Sequence, residues 1–489
     1  MKINDYLKKY HPKKLVKRNH EIKVISDYDK DMVDGGVFVC LDNLKGFNER
    51  YIDNACKLGA KTIILKKNLQ VKKQKGVNYV FVESPIVDLS RILKEELNNY
   101  EKKPIMIGVS GTSGKTSVSY LTYEFLKAKN YDLLYVGTHH IYSYYQMKEE
   151  IIKTNNTTIS LSSLYKLLKD KNYDYDYLVM EVSSQGIMEH RTLGLEFDIL
   201  TITNLSLEHL DYHHSLTEYR IVKGTLLNHI NEKSPYKKVI LNSDDEATGY
   251  FNTITLHEVD YFGLDNENMK VTNINLDVNE SSFLLEMDDM KYQIKSNLCG
   301  YFNIYNILNS LMIVKNINFE VKDFVNFINT QKIIIPGRMN TYKIKDKTFI
   351  IDYAHTIKAV ENVLTYLNSI KKMRKIITVI GCGGNRDVSK RPAFGYLSTK
   401  YSDLVIFTMD NPRDEDPYVI INDMVKDLSS KNYKIVLNRE DAIKSANENG
   451  CKDDIILILG KGNEEGIITK NKQVIPYSDY DVLRKLENE

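Results

Sequence analysis

The sequence predicts an α/β protein of three domains in series, two of which contain a doubly wound, mainly parallel sheet. Short apolar runs alternate with helical patterns along most of the chain, as they do in βαβ units. At roughly 150 residues per domain, the length of 489 residues also suggests about three domains. We place the domains at residues 1–102, 103–335 and 336–489.

The first domain, 1–102, is predicted to be a small α/β domain. Its apolar runs 36–40, 61–65 and 79–82 indicate short buried strands, and 51–58 indicates a helix between the first two strands. Pro104 follows a charged segment and marks the end of the domain.

The second domain, 103–335, is predicted to contain a parallel sheet with helices on its faces. Strands are expected at 104–109, 177–182, 197–203 and 238–241, with a helix at 117–129. From about 255 to 297 the apolar runs become shorter and alternate with polar residues, which favours an antiparallel insert.

The third domain, 336–489, starts near Pro336 and Gly337 and has a second doubly wound pattern. Its apolar runs predict five strands, at 348–352, 375–381, 404–409, 434–437 and 455–460.

Composition and charge exclude several classes of protein. Lys+Arg is 67 and Asp+Glu is 65, so no global positive charge indicates a nucleic-acid partner. We find no apolar run long enough for a transmembrane helix, and the basic first residues lack the apolar centre of a signal peptide. The five cysteines are scattered without a C-x-x-C pair, which is typical of a reducing cytosol. We therefore expect a cytoplasmic protein that does not insert into membranes.

The clearest local signal is a glycine-rich phosphate loop, Gly111-Thr112-Ser113-Gly114-Lys115-Thr116, between a predicted strand and a predicted helix. Glycines let backbone N–H groups converge on phosphate oxygens, and the helix N-terminus adds positive potential. Lys115 can reach the outer phosphates, and the Thr116 hydroxyl is the usual Mg²⁺ ligand of such loops. A plain strand-to-helix turn is the alternative.

Two further positions in the second domain carry metal-binding side chains. Glu181 ends a predicted strand, where a carboxylate can face a ligand crevice and bind Mg²⁺, or serve only as a polar strand end. His209 and His213 are spaced i, i+4, so a helix would place them on one face. That spacing is compatible with a zinc pair, with ordinary polar contacts, or with a nucleotide-bound metal.

The third domain has two loops that suit a small charged ligand. The run 381–387 follows a strand and resembles an incomplete dinucleotide loop, although an anion or carboxylate site is an equally good interpretation. Arg386 and Arg391 can each hold a carboxylate through two parallel hydrogen bonds. Asp410, Asn411 and Arg413 share one turn and could bind an amino and a carboxylate group, or could simply cap that turn.

These motifs occur together, in the same order, in the Mur ligases, which the chain resembles from about residue 108 to 465. The resemblance extends to the branch that adds the third peptide residue to the cell-wall precursor. It rests on the phosphate loop and on a set of shorter motifs: Asn156-Thr157-Thr158, Glu181-Val182-Ser183-Ser184, Thr203-Asn204-Leu205, His209 with Asp211 and His213, Tyr219 with Lys223, Asn242 with Asp244 and Asp245, Gly300 with Asn303 and Asn306, Gly337-Arg338, Asp352 to Thr356, Gly381 to Pro392, Asp410 to Arg413, and Gly460-Lys461-Gly462 with Glu464.

The resemblance implies a UDP-binding domain, a central P-loop ATPase domain and a C-terminal Rossmann-like domain. It implies an amide ligase that adds a diamino acid to UDP-N-acetylmuramoyl-L-alanyl-D-glutamate through an acyl phosphate, in peptidoglycan precursor synthesis. The carboxylate first takes the γ-phosphoryl group of ATP, and the amine then displaces phosphate. ATP, Mg²⁺ and CO₂ would be required, and the enzyme would be a monomer.

The resemblance also implies roles for individual residues. The catalytic residues would be Lys115, Glu181, His209 and Lys223. Metals would be held by Thr116, Glu181, His209 and Lys223, with Lys223 carbamylated by CO₂. Matches to ATP contacts are Gly111 to Thr116, Asn303, Asn306, Arg338 and Asp352. Matches to contacts of the UDP-linked substrate are Ser26, Thr157, Thr158, Ser183 and Arg191. Matches to the amino-acid site are Arg386, Asp410, Asn411, Arg413, Gly460 and Glu464.

The Asp-Asn-Pro-Arg run at 410–413 resembles the version that accepts meso-2,6-diaminopimelate rather than lysine, because Arg413 would hold the distal carboxylate that lysine lacks. The chain departs from the family at Gln185, Glu208 and Asn463 and in the run after Ser26, as well as around 44–47. Two alternatives therefore stay open: a ligase of this family with another acceptor, and a non-catalytic nucleotide-binding relative.

Overall fold

The computed structural model describes residues 1–41, 49–100, 102–154, 156–172, 174–206 and 215–488. They form two compact units, one of residues 1–107 and 130–198 and the other of residues 108–129 and 199–489. The strand Ile105–Ser110 begins in the first unit and ends in the second. Both units are α/β with mainly parallel pairing, which confirms the predicted fold class, while the three domain boundaries stay a prediction.

The first unit starts with a four-stranded parallel sheet whose order follows the sequence. Its strands are Ile25–Ser26, Gly36–Val39, Ala60–Lys66 and Asn78–Val82. The helices of this part are Ile3–Tyr10, Glu49–Lys57 and Pro85–Asn98, with a 3₁₀ turn at Asp29–Asp31. Phe38, Ile52 and Ile63 pack together in its core.

The rest of the first unit contains a run of four strands, in the order Tyr177–Val182, Leu133–Val136, His140–Tyr145 and Lys148–Lys153. The first two pair parallel, and the other pairs are antiparallel. Its helices are Leu161–Asp170 and Ser184–Met188. The sequence did not indicate the hairpin 140–153, because the strand Lys148–Lys153 is exposed throughout and has no buried face to leave an apolar pattern.

The second unit begins with the phosphate-loop region. Three strands pair parallel, Ile199–Ile202, Lys238–Asn242 and Val259–Phe262. The helices are Lys115–Ala128, Leu216–Thr225, Thr248–Ile254, Tyr301–Asn316 and Val321–Thr330, with a 3₁₀ turn at Leu226–His229. The largely buried helix Tyr301–Asn316 packs on Lys115–Ala128, where the Ser310 hydroxyl donates to the Val118 carbonyl at 3.1 Å. This packing fixes the helix that follows the phosphate loop.

The predicted antiparallel insert is confirmed as a four-stranded meander. Its strands are Asp265–Asn266, Met269–Leu276, Ser281–Met287 and Met290–Ser296. Alternate side chains of Ser281–Met287 are buried, which explains the alternating sequence pattern.

The last part of the second unit is a six-stranded sheet, in the order Asn340–Ile344, Lys347–Asp352, Ile455–Leu459, Ile376–Ile380, Leu404–Phe407 and Tyr433–Ile435. The five predicted strands are parallel, and Asn340–Ile344 adds an antiparallel edge strand that the sequence did not indicate. The helices are Ile357–Ile370, Lys390–Tyr401, Pro417–Val425, Arg439–Asn449 and Asp479–Asn488. A small hairpin pairs Gly466–Ile468 with Val474–Pro476, with a 3₁₀ turn at Lys470–Lys472.

The parallel pairing places the carboxyl ends of several strands at one edge of this sheet. Asp352 lies beside Leu459 in the ladder, and the Gly460 N–H donates to the Asp352 carbonyl at 3.1 Å. The turns that start at Gly381 and Asp410 follow neighbouring strands. A ligand site is expected at such an edge. Within the described ranges, no helix is long and apolar enough to span a bilayer.

Candidate functional site

The phosphate loop has the predicted strand–loop–helix setting, between Ile105–Ser110 and Lys115–Ala128. Its backbone is held by the chain segment after Ile199–Ile202: the Thr112 N–H donates to the Asn204 carbonyl at 2.9 Å, and the Ser113 N–H donates to the Asn204 side chain at 3.1 Å. The Thr203 hydroxyl donates to the Ser113 carbonyl at 2.6 Å. The Thr203-Asn204 motif therefore shapes the loop.

Gly111 is required by this close approach. Its φ is +136°, and a Cβ built on it would lie 1.9 Å from the Thr203 hydroxyl oxygen. A side chain at this position would displace Thr203 and strain the backbone.

Two lysine side chains meet at the start of the loop. Lys115 Nζ donates to the carbonyls of Gly111 and Thr112 at 2.9 and 2.8 Å. Lys223, which is 1% exposed, reaches the same Gly111 carbonyl at 2.9 Å and lies 4.8 Å from the centre of the Tyr219 ring. The structure thus brings together Lys115 and Lys223, 108 positions apart in the sequence.

Arg338 from the last part of the chain also contacts the phosphate loop. Its Nη2 donates to the Thr116 hydroxyl at 3.1 Å, and the guanidinium lies 4.6 Å from the centre of the Tyr353 ring. Asp352 accepts from the N–H groups of Met339 and Ala354 at 2.8 and 2.7 Å. Burial raises the pKa of the Asp352 carboxyl, and the Arg338 charge opposes that shift.

The predicted adenine contacts Asn303 and Asn306 lie on one turn of the helix Tyr301–Asn316. Asn306 Nδ2 donates to Asn303 Oδ1 at 2.9 Å, and Asn303 Nδ2 donates to the Cys299 carbonyl at 2.8 Å. Asn306 Oδ1 would be 2.7 Å from a Cβ at Gly114, so this pair borders the phosphate loop.

Glu181 lies in the first unit, fully buried at the end of Tyr177–Val182. Oε1 accepts from the Tyr135 hydroxyl and the Thr138 N–H at 3.0 and 2.9 Å, and Oε2 accepts from the Thr138 hydroxyl at 3.0 Å. These donors fix the carboxylate in one orientation.

The side chains predicted to hold metals differ in their chemistry. Hydroxyl and carboxylate oxygens such as those of Thr116 and Glu181 are ligands that Mg²⁺ takes, whereas the ammonium of Lys223 must become a carbamate to ligate a cation. His209 and His213 lie outside the described residues. Among the residues that are described, no three His, Cys, Asp or Glu side chains come together in a way that suits a metal ion.

Four of the five residues predicted to contact the UDP-linked substrate are close neighbours in the first unit. The Ser183 N–H donates to the Thr158 hydroxyl at 2.9 Å, and Arg191 Nη1 donates to the Thr158 carbonyl at 2.6 Å. The Thr157 hydroxyl accepts from that of Thr138 at 3.1 Å. Arg191 also pairs with Glu189.

Ser26, the fifth of these residues, lies in a different setting. Its hydroxyl donates to Asp31 at 2.8 Å and lines a small cavity of about 100 Å³ together with Ser162 and Lys166. Asp27 accepts from Ser162, and burial raises the pKa of its carboxyl. The charge of Arg191 opposes that shift, so Asp27, next to Ser26, lies within electrostatic reach of one of the other four residues.

The predicted amino-acid site, defined as Arg386, Asp410, Asn411, Arg413, Gly460 and Glu464, has a compact centre. Asn411 Nδ2 donates to Glu464 Oε2 at 2.8 Å. Gly460 has φ +110°, and a Cβ there would lie 2.7 Å from Asp410 Oδ2. Asp410, Asn411 and Glu464 therefore present one amide and two carboxylates close to one another.

Two guanidinium groups lie on the same loops. Arg413 Nη1 donates to the Gly384 carbonyl at 2.9 Å and to the Asn411 carbonyl at 3.3 Å. Burial and the like charge of Arg386 lower the pKa of the Arg413 guanidinium. Two neighbouring cations form a natural binding site for an anion.

Arg391 does not have the ligand-binding role that its sequence position allowed. It is 1% exposed and donates to Glu415 at 2.7 Å and to Asp423 at 3.1 Å, so its bonding capacity is directed to carboxylates of the chain itself. The Glu415 carboxylate also accepts from the Asn385 N–H. Arg391 thus supports the loop that carries Arg386.

Sequence reasoning missed the side chains that orient the motif residues. Tyr135 and Thr138 hold Glu181, and the fully buried Lys461 donates to Asn411 and Glu464. The sequence analysis includes Lys461 in the motif Gly460-Lys461-Gly462 but assigns it no role, and nothing in the sequence around Tyr135 indicates its partner.

Comparisons with known proteins agree with this arrangement. Residues 109–314 match the Mur ligase middle domain, and 337–462 match the Mur ligase glutamate ligase domain. The UDP-N-acetylmuramoyl-L-alanyl-D-glutamate–2,6-diaminopimelate ligase of Bacillus cereus is 31% identical over 482 residues, which cover 96% of this chain and 94% of that protein.

Two solved structures extend the likeness to the fold. A UDP-N-acetylmuramoyl-L-alanyl-D-glutamate–2,6-diaminopimelate ligase has a TM-score of 0.67 and 25% identity, covering 99% of this chain and 98% of its own. The ADP complex of a Thermotoga maritima MurF ligase has a TM-score of 0.63 and 19% identity, covering 89% and 93%. Because identity near 31% extends over almost the whole length of both chains, this protein belongs to the Mur ligase family.

Proposed function

We propose that this protein is an ATP-dependent amide ligase that adds meso-2,6-diaminopimelate to UDP-N-acetylmuramoyl-L-alanyl-D-glutamate. The observation that carries the proposal is the amino-acid site, where two guanidinium groups lie beside an amide and two carboxylates. One end of diaminopimelate has a carboxylate for the guanidinium groups and an ammonium for the carboxylates. The names of the Bacillus cereus relative and of the similar diaminopimelate ligase structure support the same substrates.

The reaction requires that a carboxylate become an acyl donor. Its oxygen attacks the γ-phosphorus of ATP, ADP leaves, and an acyl phosphate forms. The amine of the diamino acid then attacks the acyl carbon and phosphate leaves, so that ATP yields ADP and phosphate for each amide bond.

We assign Lys115 to the outer phosphates of ATP. Its ammonium donates to the Gly111 and Thr112 carbonyls, which keep the charge beside the loop. Exchanging these neutral acceptors for phosphate oxygens strengthens each hydrogen bond, because the acceptor becomes charged. Arg338, which donates to Thr116, is placed to exchange that hydroxyl for a phosphate oxygen.

We propose that Mg²⁺ is held by Thr116, Glu181, His209 and a carbamate on Lys223, and the ion would neutralise charge on the transferred phosphoryl group. Tyr135 and Thr138 keep the Glu181 oxygens oriented before any ligand arrives. The buried position of Lys223 beside Gly111 supports a carbamate role, because an ammonium there would repel a cation.

The remaining residues would contact the other substrate groups. The UDP-linked dipeptide would be contacted by Thr157, Thr158, Ser183, Arg191 and Ser26, and adenine would be contacted by Asn303 and Asn306. We also propose a monomeric enzyme that acts in the cytoplasm, where its nucleotide substrates are made.

A phosphate-release assay tests the proposal. Purified protein with ATP, Mg²⁺ and UDP-N-acetylmuramoyl-L-alanyl-D-glutamate should release phosphate when diaminopimelate is added, and mass spectrometry should detect the tripeptide product. Lysine is the matched control, because it lacks only the distal carboxylate. Phosphate release with another acceptor alone would assign the protein to a different reaction, and the absence of ADP with every acceptor would refute ligase activity.

A further inference from the structure

Lys461 is buried at the centre of the amino-acid site, although its ammonium would be stable in water. Its side chain is 0% exposed, and Nζ lies 3.1 Å from Asn411 Oδ1 and 2.8 Å from Glu464 Oε2. A buried charge is retained only when its partners compensate for the lost hydration. Lys461 therefore forms part of the internal structure of the site.

The Asn411 amide has one possible orientation in this environment. Its Oδ1 accepts from Lys461 at 3.1 Å and from the Ile468 N–H at 2.8 Å, which uses both lone pairs of the oxygen. Nδ2 must then lie on the opposite side, where it donates to Glu464 at 2.8 Å. The second N–H of Nδ2 makes no hydrogen bond within the part of the chain that the structure describes.

Glu464 is held from the same side. Its Oε2 accepts from both Lys461 and Asn411 at 2.8 Å, and its Oε1 is 3.4 Å from the Tyr353 hydroxyl. Oε1 therefore retains more accepting capacity than Oε2. A substrate ammonium would bind to this oxygen.

The charge of Lys461 also acts on Asp410. Burial alone would raise the pKa of the Asp410 carboxyl, but Lys461 and Arg439, with the Asn411 N–H and Arg413, outweigh burial and hold that pKa below its usual range. Arg439 Nη1 lies 4.0 Å from Asp410 Oδ2 and has no hydrogen-bond partner among the described residues. Among the described residues, the groups that face the two carboxylates thus include the cations Lys461, Arg413 and Arg439, together with Asn411 and the Tyr353 hydroxyl.

We propose that Lys461 is a positioning residue of the amino-acid site: it fixes the Asn411 amide as a donor and keeps the Asp410 and Glu464 carboxylates ready to bind an ammonium. This inference rests on the proposed function for the identity of the ligand. A substrate carboxylate would accept from Asn411 and Arg413, and the neighbouring ammonium would donate to Asp410 and Glu464. Without Lys461, the Ile468 N–H is the remaining donor to the Asn411 oxygen among the described residues, and Glu464 loses the cation that holds its Oε2, so both groups are less well fixed for the substrate.

The test compares Lys461→Met with Lys347→Met. Lys347 is 16% exposed and, like Lys461, donates to an asparagine side chain, that of Asn447 at 3.2 Å. It is the first residue of the strand Lys347–Asp352, whose other end lies beside Gly460. The two ends of this strand are about 16 Å apart at 3.3 Å per residue. Lys347→Met therefore removes a similar lysine contact at the opposite end of the same sheet.

In the phosphate-release assay, we expect Lys461→Met to raise the KM for diaminopimelate at least about tenfold, the usual effect of losing a charge-assisted contact. The KM for ATP should stay within about twofold of the wild-type value, because Lys461 makes no contact with the phosphate loop among its hydrogen bonds. Lys347→Met should change neither constant. Equal increases in both constants, or an unchanged KM for diaminopimelate, would overturn the inference.

The unfolding temperature between pH 7 and pH 2 gives a second readout that needs no substrate. A carboxyl with a depressed pKa stabilises the folded state above its unfolded pKa of about 3.9 and loses that contribution as the pH falls through its folded pKa. Removing Lys461 raises the folded pKa of Asp410, so Lys461→Met should be less stable than wild type at pH 7, by a difference that shrinks as the pH falls through the folded pKa of Asp410. A difference that is constant with pH would indicate packing alone.

The two measurements separate the two proposals. If the wild-type protein releases no phosphate with diaminopimelate, the proposed function fails, while the pH dependence still decides whether Lys461 controls Asp410. If the wild type is active and the pH dependence is absent, the function stands and the role of Lys461 is wrong.

Discussion

Substituting Arg413 by methionine should remove the preference of the enzyme for diaminopimelate over lysine. The Arg413 side chain is half-buried. Among the described residues, its Nη1 donates to the carbonyls of Gly384 and Asn411. Nε and Nη2 donate to no other residue of the described chain, so one edge of the guanidinium is available for a carboxylate. Arg413→Met removes this edge and keeps a side chain of similar length.

The size of the effect follows from those two open donors. Each charge-assisted hydrogen bond contributes about 1.5–3 kcal/mol, and we take the lower value for each because the guanidinium is partly exposed. The pair then contributes about 3 kcal/mol, which corresponds to about a hundredfold in kcat/KM. Lysine has no distal carboxylate, so its kcat/KM should not fall when Arg413 is replaced.

The assay is phosphate release with saturating ATP and UDP-linked dipeptide, with diaminopimelate and lysine varied in turn. Arg413→Lys is the matched variant, because it keeps the charge and removes the two-pronged geometry, and its loss should lie between those of wild type and Arg413→Met. A fall of equal size for both amino acids would refute the reasoning. So would a wild-type enzyme that uses lysine as well as diaminopimelate.

Three further predictions concern the phosphate loop and the support of the amino-acid site. Lys115→Ala should abolish ADP formation while the unfolding temperature stays near the wild-type value, and a fully active variant would contradict its assignment. Gly111→Ala should destabilise the fold by about 1–3 kcal/mol because φ is +136°, whereas Gly249→Ala, with nothing within 4 Å, should not destabilise it. Arg391→Met leaves Glu415 without its 2.7 Å partner and should raise the KM for diaminopimelate more than the KM for ATP; equal changes would indicate general unfolding.

Most long buried parallel strands were predicted from the sequence to within about two residues, although Leu133–Val136, which is buried at every position, was missed. The strand Ile455–Leu459 is buried at every position, as the uninterrupted apolar run 455–460 indicates. Two edge strands of the sheets were not predictable. Lys148–Lys153 is exposed throughout, and Asn340–Ile344 buries only Asn340 and Ile344, so neither leaves an apolar pattern. Their positions depend on pairing with a neighbour, which is tertiary information.

The candidate site likewise contains contacts that were predictable from the sequence and contacts that were not. Asp410, Asn411 and Arg413 stand on one turn, so their proximity follows from the chain itself. The meeting of Lys223 with the Gly111 carbonyl spans 112 positions and needs the fold. The resemblance to a family implied that Lys223 and Thr116 of the phosphate loop serve metals together, which residue spacing alone could not indicate.

The supporting residues explain why a motif describes only part of such a site. Glu181 accepts hydrogen bonds from Tyr135 and Thr138, and Asn411 accepts them from Lys461 and the Ile468 N–H. Each of these two groups is therefore oriented by donors that are not themselves predicted ligand contacts. A supporting group acts through the group that it holds, so its removal weakens binding by leaving that group poorly oriented. Substitution of a support should therefore alter affinity and selectivity before it abolishes the reaction, because the reacting atoms and their direct ligands are still present. This separates Lys461 and Arg391 from Lys115, whose charge is itself the chemistry.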